Sequence, residues 1–414
     1  MGHVVRGQAV YFTNHRVRVT VDLTESDFAR ARVAVAETVA TVEGSDAPVP
    51  LEDDARCSWC SHVAVCLPDE RAGAEVHRRI VVADPDSQVI HLATPGARAS
   101  VRAGRLLVSS RGDEIASVPL ERIQGVVVHG NVDLTGGLIR ELLWRSLTVV
   151  WVTGTGRVVG WSVPGSGPNG AERVRQHLAS ANGRLDLARE FVSAKIANQA
   201  TMLRRNGHAP GAVEAMRILQ RNAGATRSLT ALLGVEGDAA ARYFLGFESM
   251  LAERVRSAGL IFRGRSGRPA RDPINACLNY AYALLLADVV RAVVACGLDP
   301  HAGFLHSSVR NKPALALDLC EEFRAPVADS VVIGAFNNGE LSPRDFSDAL
   351  GSTRLREEGR RALIAAYERR VGSEFRHPVF GYRTTWRRAM EIQARMVLGV
   401  IDGTQPRYVG VRTR

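Results

Sequence analysis

The spacing of apolar residues changes once along this chain, and that change is what most limits the folds open to it. Between residues 82 and 163, short apolar runs such as RLLVSS, GVVVHG and LTVVWVTG alternate with turn signals, a pattern typical of β-strands, with one helix at 135–145. After residue 170 the spacing becomes helical and strands nearly vanish. We therefore predict an α+β multidomain protein. A β-rich domain spans residues 84–165, and a large all-α domain spans 170–414, with at most one strand pair after residue 175.

Residues 1–70 form a third, small module in this prediction, and 71–83 form a linker. Alternation over residues 1–23 predicts one or two strands, and the cap-like run Thr24-Glu25-Ser26-Asp27 predicts a helix over 24–42. In the helical domain, Asp272 and Pro273 predict the N-cap and first residue of a long helix that stops at Gly297.

Charge is distributed unevenly between these modules. The chain has 53 basic and 43 acidic residues, a net charge of +10, yet its first 70 residues hold only 6 arginines against 11 acidic residues. The remainder is therefore strongly basic, which favours a polyanionic partner such as nucleic acid. Charged residues interrupt every long apolar run and no signal peptide is recognisable, so we expect a cytoplasmic protein without membrane spans.

Three cysteines cluster as Cys57-x2-Cys60-x5-Cys66, a spacing that suits one metal ion or an iron–sulfur cluster. Either centre usually needs a fourth ligand. His62 is a weak local candidate, and no cysteine precedes residue 57. The other three cysteines lie singly in apolar helical runs and read as buried thiols.

A second set of candidates lies in the helical domain: Glu236, His306, Asp318 and Glu321. Asp318 and Glu321 are three residues apart, so a helix places both on one face. One histidine with several carboxylates suits Mn²⁺ or Mg²⁺ and phosphodiester chemistry. Ordinary salt-bridged residues are the alternative, and spacing alone favours it, because Glu236 lies far from His306 in the sequence.

Basic residues give the candidate DNA contacts. The run RGRSGRPAR and the aromatic-rich C-terminal segment have enough arginines for several phosphate contacts, although a solvated basic surface is the alternative. The chain has 51 arginines and only two lysines, a bias that codon usage explains, and Lys195 is included for its rarity. The candidates are Lys195, Arg204, Arg205, Arg263, Arg265, Arg268, Arg271, Arg383, Arg387 and Arg388.

Taken in order, several motifs resemble the CRISPR-associated Cas1 integrase and endonuclease. They include VPLERIQGVVVHGNVDLTGGLIRELL in the β-rich part, and FVSAKIANQATMLRR, LLGVEGDAAARYF and PALALDLCEEFR in the helical part. The resemblance implies that Glu236, His306 and Glu321 bind Mn²⁺ or Mg²⁺, that Asp318 assists, and that Tyr280 matches a tyrosine near the active site. It also implies a homodimer that binds prespacer DNA and the CRISPR repeat, with a small Cas2 protein bridging two dimers.

Residues 1–67 resemble the C-terminal end of the Cas4 exonuclease, through VVRGQAVYFTNHRVRVTVDL and CSWCSHVAVCLP. The resemblance implies that Cys57, Cys60 and Cys66 belong to a [4Fe-4S] site whose first cysteine is not in this chain. The catalytic lysine of that nuclease is missing too, since no lysine precedes Lys195. We expect either an N-terminally incomplete Cas4/Cas1 fusion or a degenerate module, and no exonuclease activity.

Three functions stay open from the sequence. The first is an integrase that joins captured DNA fragments to the CRISPR repeat array, with the N-terminal segment coupling fragment selection or trimming to integration. The second is a free-standing metal-dependent endonuclease that cuts branched DNA. The third is a non-catalytic DNA-binding scaffold.

Overall fold

The structure, a computed structural model, describes residues 8–12, 17–43 and 88–413, apart from residues 166, 168, 208, 310, 350 and 382. Its contacts divide the chain into two units, residues 1–52 and 53–414. Cys57, Cys60, Cys66 and His62 lie outside the described residues, as does the predicted linker. The predictions about them remain predictions.

The first unit contains an antiparallel hairpin of β1 (Gln8–Phe12) and β2 (Val17–Val21), followed by α1 (Glu25–Glu43). Thr24 and Asp27 cap this helix reciprocally. The Thr24 N–H donates to Asp27 Oδ2 at 2.9 Å, and the Asp27 N–H donates to Thr24 Oγ1 at 3.3 Å. The predicted strands, helix and cap are confirmed.

The β-rich region consists of two four-stranded sheets and one helix. The sheet orders are β10-β9-β7-β3, in which β3, β7 and β9 are parallel, and β6-β5-β4-β8. The elements are β3 (Gln88–Leu92), β4 (Arg98–Arg102), β5 (Arg105–Ser110), β6 (Asp113–Pro119), β7 (Ile123–His129), β8 (Asp133–Leu134), α2 (Gly136–Trp144), β9 (Thr148–Val152) and β10 (Val158–Trp161).

The first sheet lies between two hydrophobic cores. Val127 and Val150 face the helical region, whereas Val126, Val128 and Val149 face the second sheet and α2. Burial on both faces explains why β7 reads as an unbroken apolar run. The predicted strands and the helix at 135–145 are confirmed, with Thr135 as the helix N-cap.

The helical region follows from residue 170. Its helices are α3 (Gly170–Asn182), α4 (Leu185–Asn206), α5 (Pro210–Ala225), α6 (Leu229–Gly246), α7 (Glu253–Ser257), α8 (Pro273–Ala295), α9 (Ala314–Phe323), α10 (Ser330–Asn337), α11 (Glu357–Gly372) and α12 (Trp386–Asp402). A π-helix, Arg324–Asp329, joins α9 to α10.

Helix α8 is the central element of this region. The Asp272 side chain accepts from the Asn275 N–H at 2.7 Å, Pro273 occupies the first turn, and Gly297 follows the helix with a φ of +74°. The predicted bounds are confirmed. Among the described residues α8 alone is long and apolar enough to cross a membrane, but 89% of its apolar window is buried inside the fold. It is therefore a core helix.

Two short hairpins lie within the helical region. They pair β11 (Phe346–Ala349) with β12 (Ser352–Leu355), and β13 (Glu374–Arg376) with β14 (Arg383–Thr385). The expectation of an all-α domain with at most one strand pair after residue 175 is therefore wrong. Strands of three or four residues are too short to produce a readable alternation, and packing against helices stabilises them instead, as where Phe375 stacks on Trp386 at 3.9 Å.

Candidate metal centre and basic cleft

Side chains from three helices meet at one buried ammonium group. Lys195 on α4 directs its Nζ to Oε1 of Glu236 on α6, and the same Nζ lies 2.6 Å from Oε2 of Glu321 on α9. The Lys195 side chain is only 8% exposed, and that of Glu321 only 3%. Because α4 packs against both α6 and α9, residues far apart in the sequence come within reach of one cation.

His306 reaches the same place from the loop before α9. The buried Asp318 carboxylate accepts hydrogen bonds from three consecutive backbone N–H groups, those of Phe304, Leu305 and His306, at 2.6–3.0 Å. It also binds His306 Nδ1 at 2.8 Å. With Nδ1 held by Asp318, the other ring nitrogen, Nε2, lies 3.8 Å from Oε1 of Glu321. Asp318 thus binds one ring nitrogen and leaves the other, Nε2, available as a ligand. Carboxylates commonly orient metal-binding histidines in this way.

The geometry links Glu236, His306 and Glu321 in pairs, and within the described residues they do not form a ready group of three ligands. His306 lies close to Glu321, and Lys195 links Glu321 to Glu236. The alternative interpretation was that these residues form ordinary salt bridges. Salt bridges are present, and they connect two of the candidate ligands, Glu236 and Glu321, through Lys195. Their role as metal ligands remains a prediction.

The electrostatics of the centre favour an ionised Glu321. Burial alone would raise its pKa, but the charges of Arg324, Lys195 and His306 outweigh burial and hold the pKa of Glu321 at about 2. Arg324 contributes through Oε1 at 3.0 Å. For His306, burial opposes the charged form, yet Asp318 and Glu321 together raise its pKa above the ordinary value. The centre therefore presents a permanent carboxylate at neutral pH.

Two carboxylates and one imidazole nitrogen are a donor set suited to Mn²⁺ or Mg²⁺. Oε2 of Glu321 is buried, and the Lys195 ammonium lies 2.6 Å from it. Within the described ranges, no three His, Cys, Asp or Glu side chains already form a metal-binding group. The donor atoms of these residues are of the types that bind a divalent ion, but in this structure they surround the Lys195 ammonium.

An aromatic and acidic cluster, which the sequence analysis missed, holds Arg324. The guanidinium lies 4.7 Å from the ring centre of Tyr282, and the hydroxyls of Tyr282 and Tyr243 donate to Asp329 at 2.7 and 2.9 Å. Burial raises the pKa of Asp329 to about 6. Glu321 lies in α9 and Arg324 begins the π-helix that follows, and their spacing of three residues was the available sequence signal.

A basic cleft of 1010 Å³ adjoins the centre, between β10, α8 and α9. Arg324 lines the cleft and contacts Glu321, so this one arginine lies against both the cleft and the centre. Among its described lining residues, Asp299 is the one carboxylate. The cationic residues of its wall are Arg157, Arg173, Arg265, Arg268, Lys312 and Arg324. This excess of positive charge suits a phosphate-bearing ligand.

The predicted DNA contacts fall into two groups. The exposed ones are Arg204, Arg205, Arg263, Arg268, Arg271 and Arg383. The others are partly or fully buried and engaged within the protein: Lys195 with two glutamates, Arg265 with Asn275 and Asn279, Arg387 with Asp288 and Glu368, and Arg388 with Glu391. We therefore restrict the prediction of surface phosphate contacts to the exposed group.

Tyr280 belongs to the interface between the first sheet and the helices. Its hydroxyl binds His129 Nδ1 at 2.8 Å, His129 Nε2 binds His91 Nδ1 at 2.9 Å, and His91 Nε2 binds Glu368 at 2.9 Å. Burial would raise the pKa of Glu368, but His91 and Arg387 hold it at about 2. A chain of hydrogen bonds therefore runs from Tyr280 through His129 and His91 to the ionised Glu368. A catalytic role for Tyr280 remains a prediction.

The fold is that of the Cas1 class. The structure of a Cas1 protein from Thermotoga maritima matches with a TM-score of 0.68 at 20% identity, covering 78% of this chain and 98% of that one. A casposase bound to its integration product matches with a TM-score of 0.66 at 23% identity, covering 78% and 92%. A Cas6-RT-Cas1–Cas2 complex matches with a TM-score of 0.68 at 23% identity, covering 80% and 37%. At these identities the likeness defines the fold.

Sequence comparison gives the family. Residues 90–369 match the family described as CRISPR associated protein Cas1, and the chain belongs to it. It is 39% identical to an endonuclease Cas1 of Thermus thermophilus, over 76% of this chain and 96% of that one. It is also 39% identical to a Cas4 exonuclease/Cas1 endonuclease fusion of Rhodospirillum rubrum, over 98% of this chain and 72% of the relative. The predicted Cas1 identity and Cas4-like N-terminal region are confirmed.

Proposed function

We propose that this protein is a metal-dependent DNA integrase and endonuclease of CRISPR adaptation. In this reaction the 3′-hydroxyl oxygen of a captured fragment, the prespacer, forms a bond to a phosphorus at the edge of the repeat. The bond from that phosphorus to its former 3′-oxygen breaks, so one phosphodiester replaces another. The convergence of Glu236, Glu321 and His306 beside a cleft with six cationic residues is the observation that carries the proposal.

Each residue has a distinct part in this proposal. Glu236, Glu321 and His306 would hold Mn²⁺ or Mg²⁺, which when bound stabilises charge on the phosphate and activates the attacking oxygen. Asp318 keeps the His306 ring oriented through Nδ1. Arg324 fixes the Glu321 carboxylate. The exposed cations of the cleft wall, Arg157, Arg268 and Lys312, neutralise the DNA backbone that approaches the centre.

The partners follow from the relatives. We propose that the protein binds duplex prespacer and CRISPR repeat, forms a homodimer, and assembles with a small Cas2 protein that bridges two dimers. The Cas1–Cas2 complex and the casposase–DNA complex of the same fold support these partners. Trp144, at the end of α2, is 88% exposed, which supports an interface on the β-rich region.

For the N-terminal region we propose a coupling role. As in the Cas4/Cas1 fusions that it resembles, it would link prespacer selection or trimming to integration. Cys57, Cys60 and Cys66 would belong to a [4Fe-4S] site completed by a fourth ligand from outside this chain. We place the activity in the cytoplasm.

The test is integration of a labelled duplex into a plasmid that carries the repeat, with and without Cas2 and Mn²⁺. We expect Mn²⁺-dependent joining at the repeat edge, and its loss in His306→Ala with DNA binding mostly retained. Cleavage of branched DNA without joining would favour the free-standing endonuclease. DNA binding without any cleavage or joining would favour the scaffold.

A further inference from the structure

The group between Glu236 and Glu321 is a lysine in a chain that otherwise uses arginine. Of the 53 basic residues, only Lys195 and Lys312 are lysines. A compact ammonium can contact two carboxylates at one point, whereas a planar guanidinium is larger and pairs best with one carboxylate through its fork. The geometry therefore gives a physical reason why position 195 is a lysine and not an arginine. Composition alone gave no such reason.

Charge balance points the same way. Glu321 is fully enclosed and meets cations on both oxygens, Arg324 at Oε1 and Lys195 at Oε2. Glu236 lies on the other side of the same ammonium. Without Lys195 the two carboxylates would face each other across the width of one cation, which is unfavourable for like charges.

The position of this ammonium also matters. An ion that binds Oε1 of Glu236 and Oε2 of Glu321 together needs the position that Nζ of Lys195 occupies. The ammonium and a divalent ion cannot occupy that position together. Lys195 has a flexible four-carbon stem, so its head group can leave while α4 stays in place.

We propose that Lys195 is a built-in counter-cation that holds Glu236 and Glu321 at ligand spacing in the ion-free protein and is displaced when a divalent ion binds. Lys195 is thus a positioning residue that competes with the ion. This inference rests on the metal site of the proposed function. It assigns a part to a residue that we had expected on the DNA-binding surface.

The test is titration of the full chain with Mn²⁺ by isothermal calorimetry, comparing wild type with Lys195→Met. Removing a unit charge a few ångströms from the ion should tighten Mn²⁺ binding by about tenfold or more. The same variant should unfold at a lower temperature in EDTA, and Mn²⁺ should restore it. Arg217→Met is the matched control, because it also removes one positive charge and Arg217 is exposed on α5, where it pairs with Glu214 at 3.2 Å. Its Mn²⁺ affinity should stay within about twofold of wild type.

Mn²⁺ affinity of Lys195→Met equal to or weaker than wild type would overturn the inference. Glu321→Gln separates this failure from failure of the metal site itself. If Glu321→Gln abolishes Mn²⁺ binding while Lys195→Met leaves it unchanged, only the counter-cation role is lost. If neither wild type nor Lys195→Met binds Mn²⁺, both proposals fail. Should Lys195→Met fold poorly, Lys195→Gln, which also removes the charge, must show the tighter binding instead.

Discussion

At the scale of single residues, the centre depends on one carboxylate that we do not expect to touch the ion. Asp318 is fully buried, accepts from three backbone N–H groups and holds His306 Nδ1. It therefore fixes both the loop that presents His306 and the ring nitrogen that faces Glu321. The spacing of three residues on a helix predicted that Asp318 lies near Glu321, but it did not predict that Asp318 holds His306 and its loop.

Asp318→Asn should weaken Mn²⁺ binding by about 10- to 100-fold, the usual effect of losing such a supporting group. The amide places N–H donors where the carboxylate accepted them, so the His306 ring loses its fixed orientation. Mn²⁺ calorimetry measures the loss, and circular dichroism checks that the helices remain. Affinity within about twofold of wild type would contradict this role for Asp318.

The exposed arginines give a prediction about DNA at the same scale. Arg263→Gln should weaken binding alike on all DNA sequences and flatten the salt dependence by about one unit of slope, because a phosphate contact carries no base readout. Fluorescence anisotropy across salt concentrations measures both. Arg217→Gln is the control, since Glu214 already pairs with Arg217 at 3.2 Å. An unchanged slope for Arg263→Gln would remove this residue from the DNA path.

At the scale of elements, the C-terminal segment after α12 packs against α4 and α9, two of the helices that carry the candidate metal centre. Glu322, next to Glu321, accepts from the Val411 N–H at 2.6 Å, and Asn198 on α4 binds the backbone of Val411 and Thr413. A side chain at Gly410 would meet Ala194, the neighbour of Lys195, at 2.6 Å. The segment thus packs directly beside both Lys195 and Glu321.

Gly410→Ala should destabilise the protein by about 1–3 kcal/mol, because the new methyl group overpacks against α4. Thermal unfolding monitored at 222 nm measures the loss. Gly224→Ala, within α5 and with open space around the added atom, is the control and should be neutral or slightly stabilising. Equal melting temperatures for wild type and Gly410→Ala would show that the segment does not press on α4 as described.

The sheet and the helices meet through a buried histidine whose titration gives a pH prediction. Burial, followed by the charges of His91 and Arg360, lowers the pKa of His129 from 6.5 to about 3. Because the pKa of His129 is lower in the folded than in the unfolded protein, protonation of this ring favours unfolding. The neutral ring is therefore tolerated at no cost above pH 6.5, and the free energy of unfolding falls as the pH drops from 6.5 toward 3. His129→Gln keeps one acceptor and one donor without the titration.

Between pH 7.5 and 5, wild type should therefore lose about 2 kcal/mol more of its unfolding free energy than His129→Gln. Urea unfolding at the two pH values measures the difference. His377, whose pKa burial lowers to about 4, contributes equally to both proteins and cancels. Parallel pH profiles would show that the His129 ring does not stay neutral in the fold.

At the scale of the whole molecule, the sequence predicted the order of the parts well because the patterns involved are local. Strand alternation over 88–161, the helical spacing beyond 170 and the Asp272–Pro273 start of α8 depend on neighbouring residues. The short hairpins and the π-helix between α9 and α10 were missed, because packing against distant elements specifies them.

The candidate site divides in the same way. Asp318 and Glu321 share one helix and could be paired from spacing, whereas Glu236 and His306 join them only through the packing of α4, α6 and α9. Family resemblance supplied that link, since no local pattern could. The interior place of Lys195 was not predictable, because a lysine on an apolar helix face looks the same as one at its edge until the partner carboxylates are located.

The central claim is that Glu236, His306 and Glu321 hold one divalent ion, and anomalous diffraction at the manganese edge tests it most directly. Crystals grown with Mn²⁺ should show a peak between the three side chains, about 2.0–2.3 Å from Glu236 and Glu321 oxygens and His306 Nε2, with the Lys195 ammonium moved away. Crystals of His306→Ala should show a weaker peak or none. A wild-type map without a peak there, with Lys195 still between the two glutamates, would contradict the account.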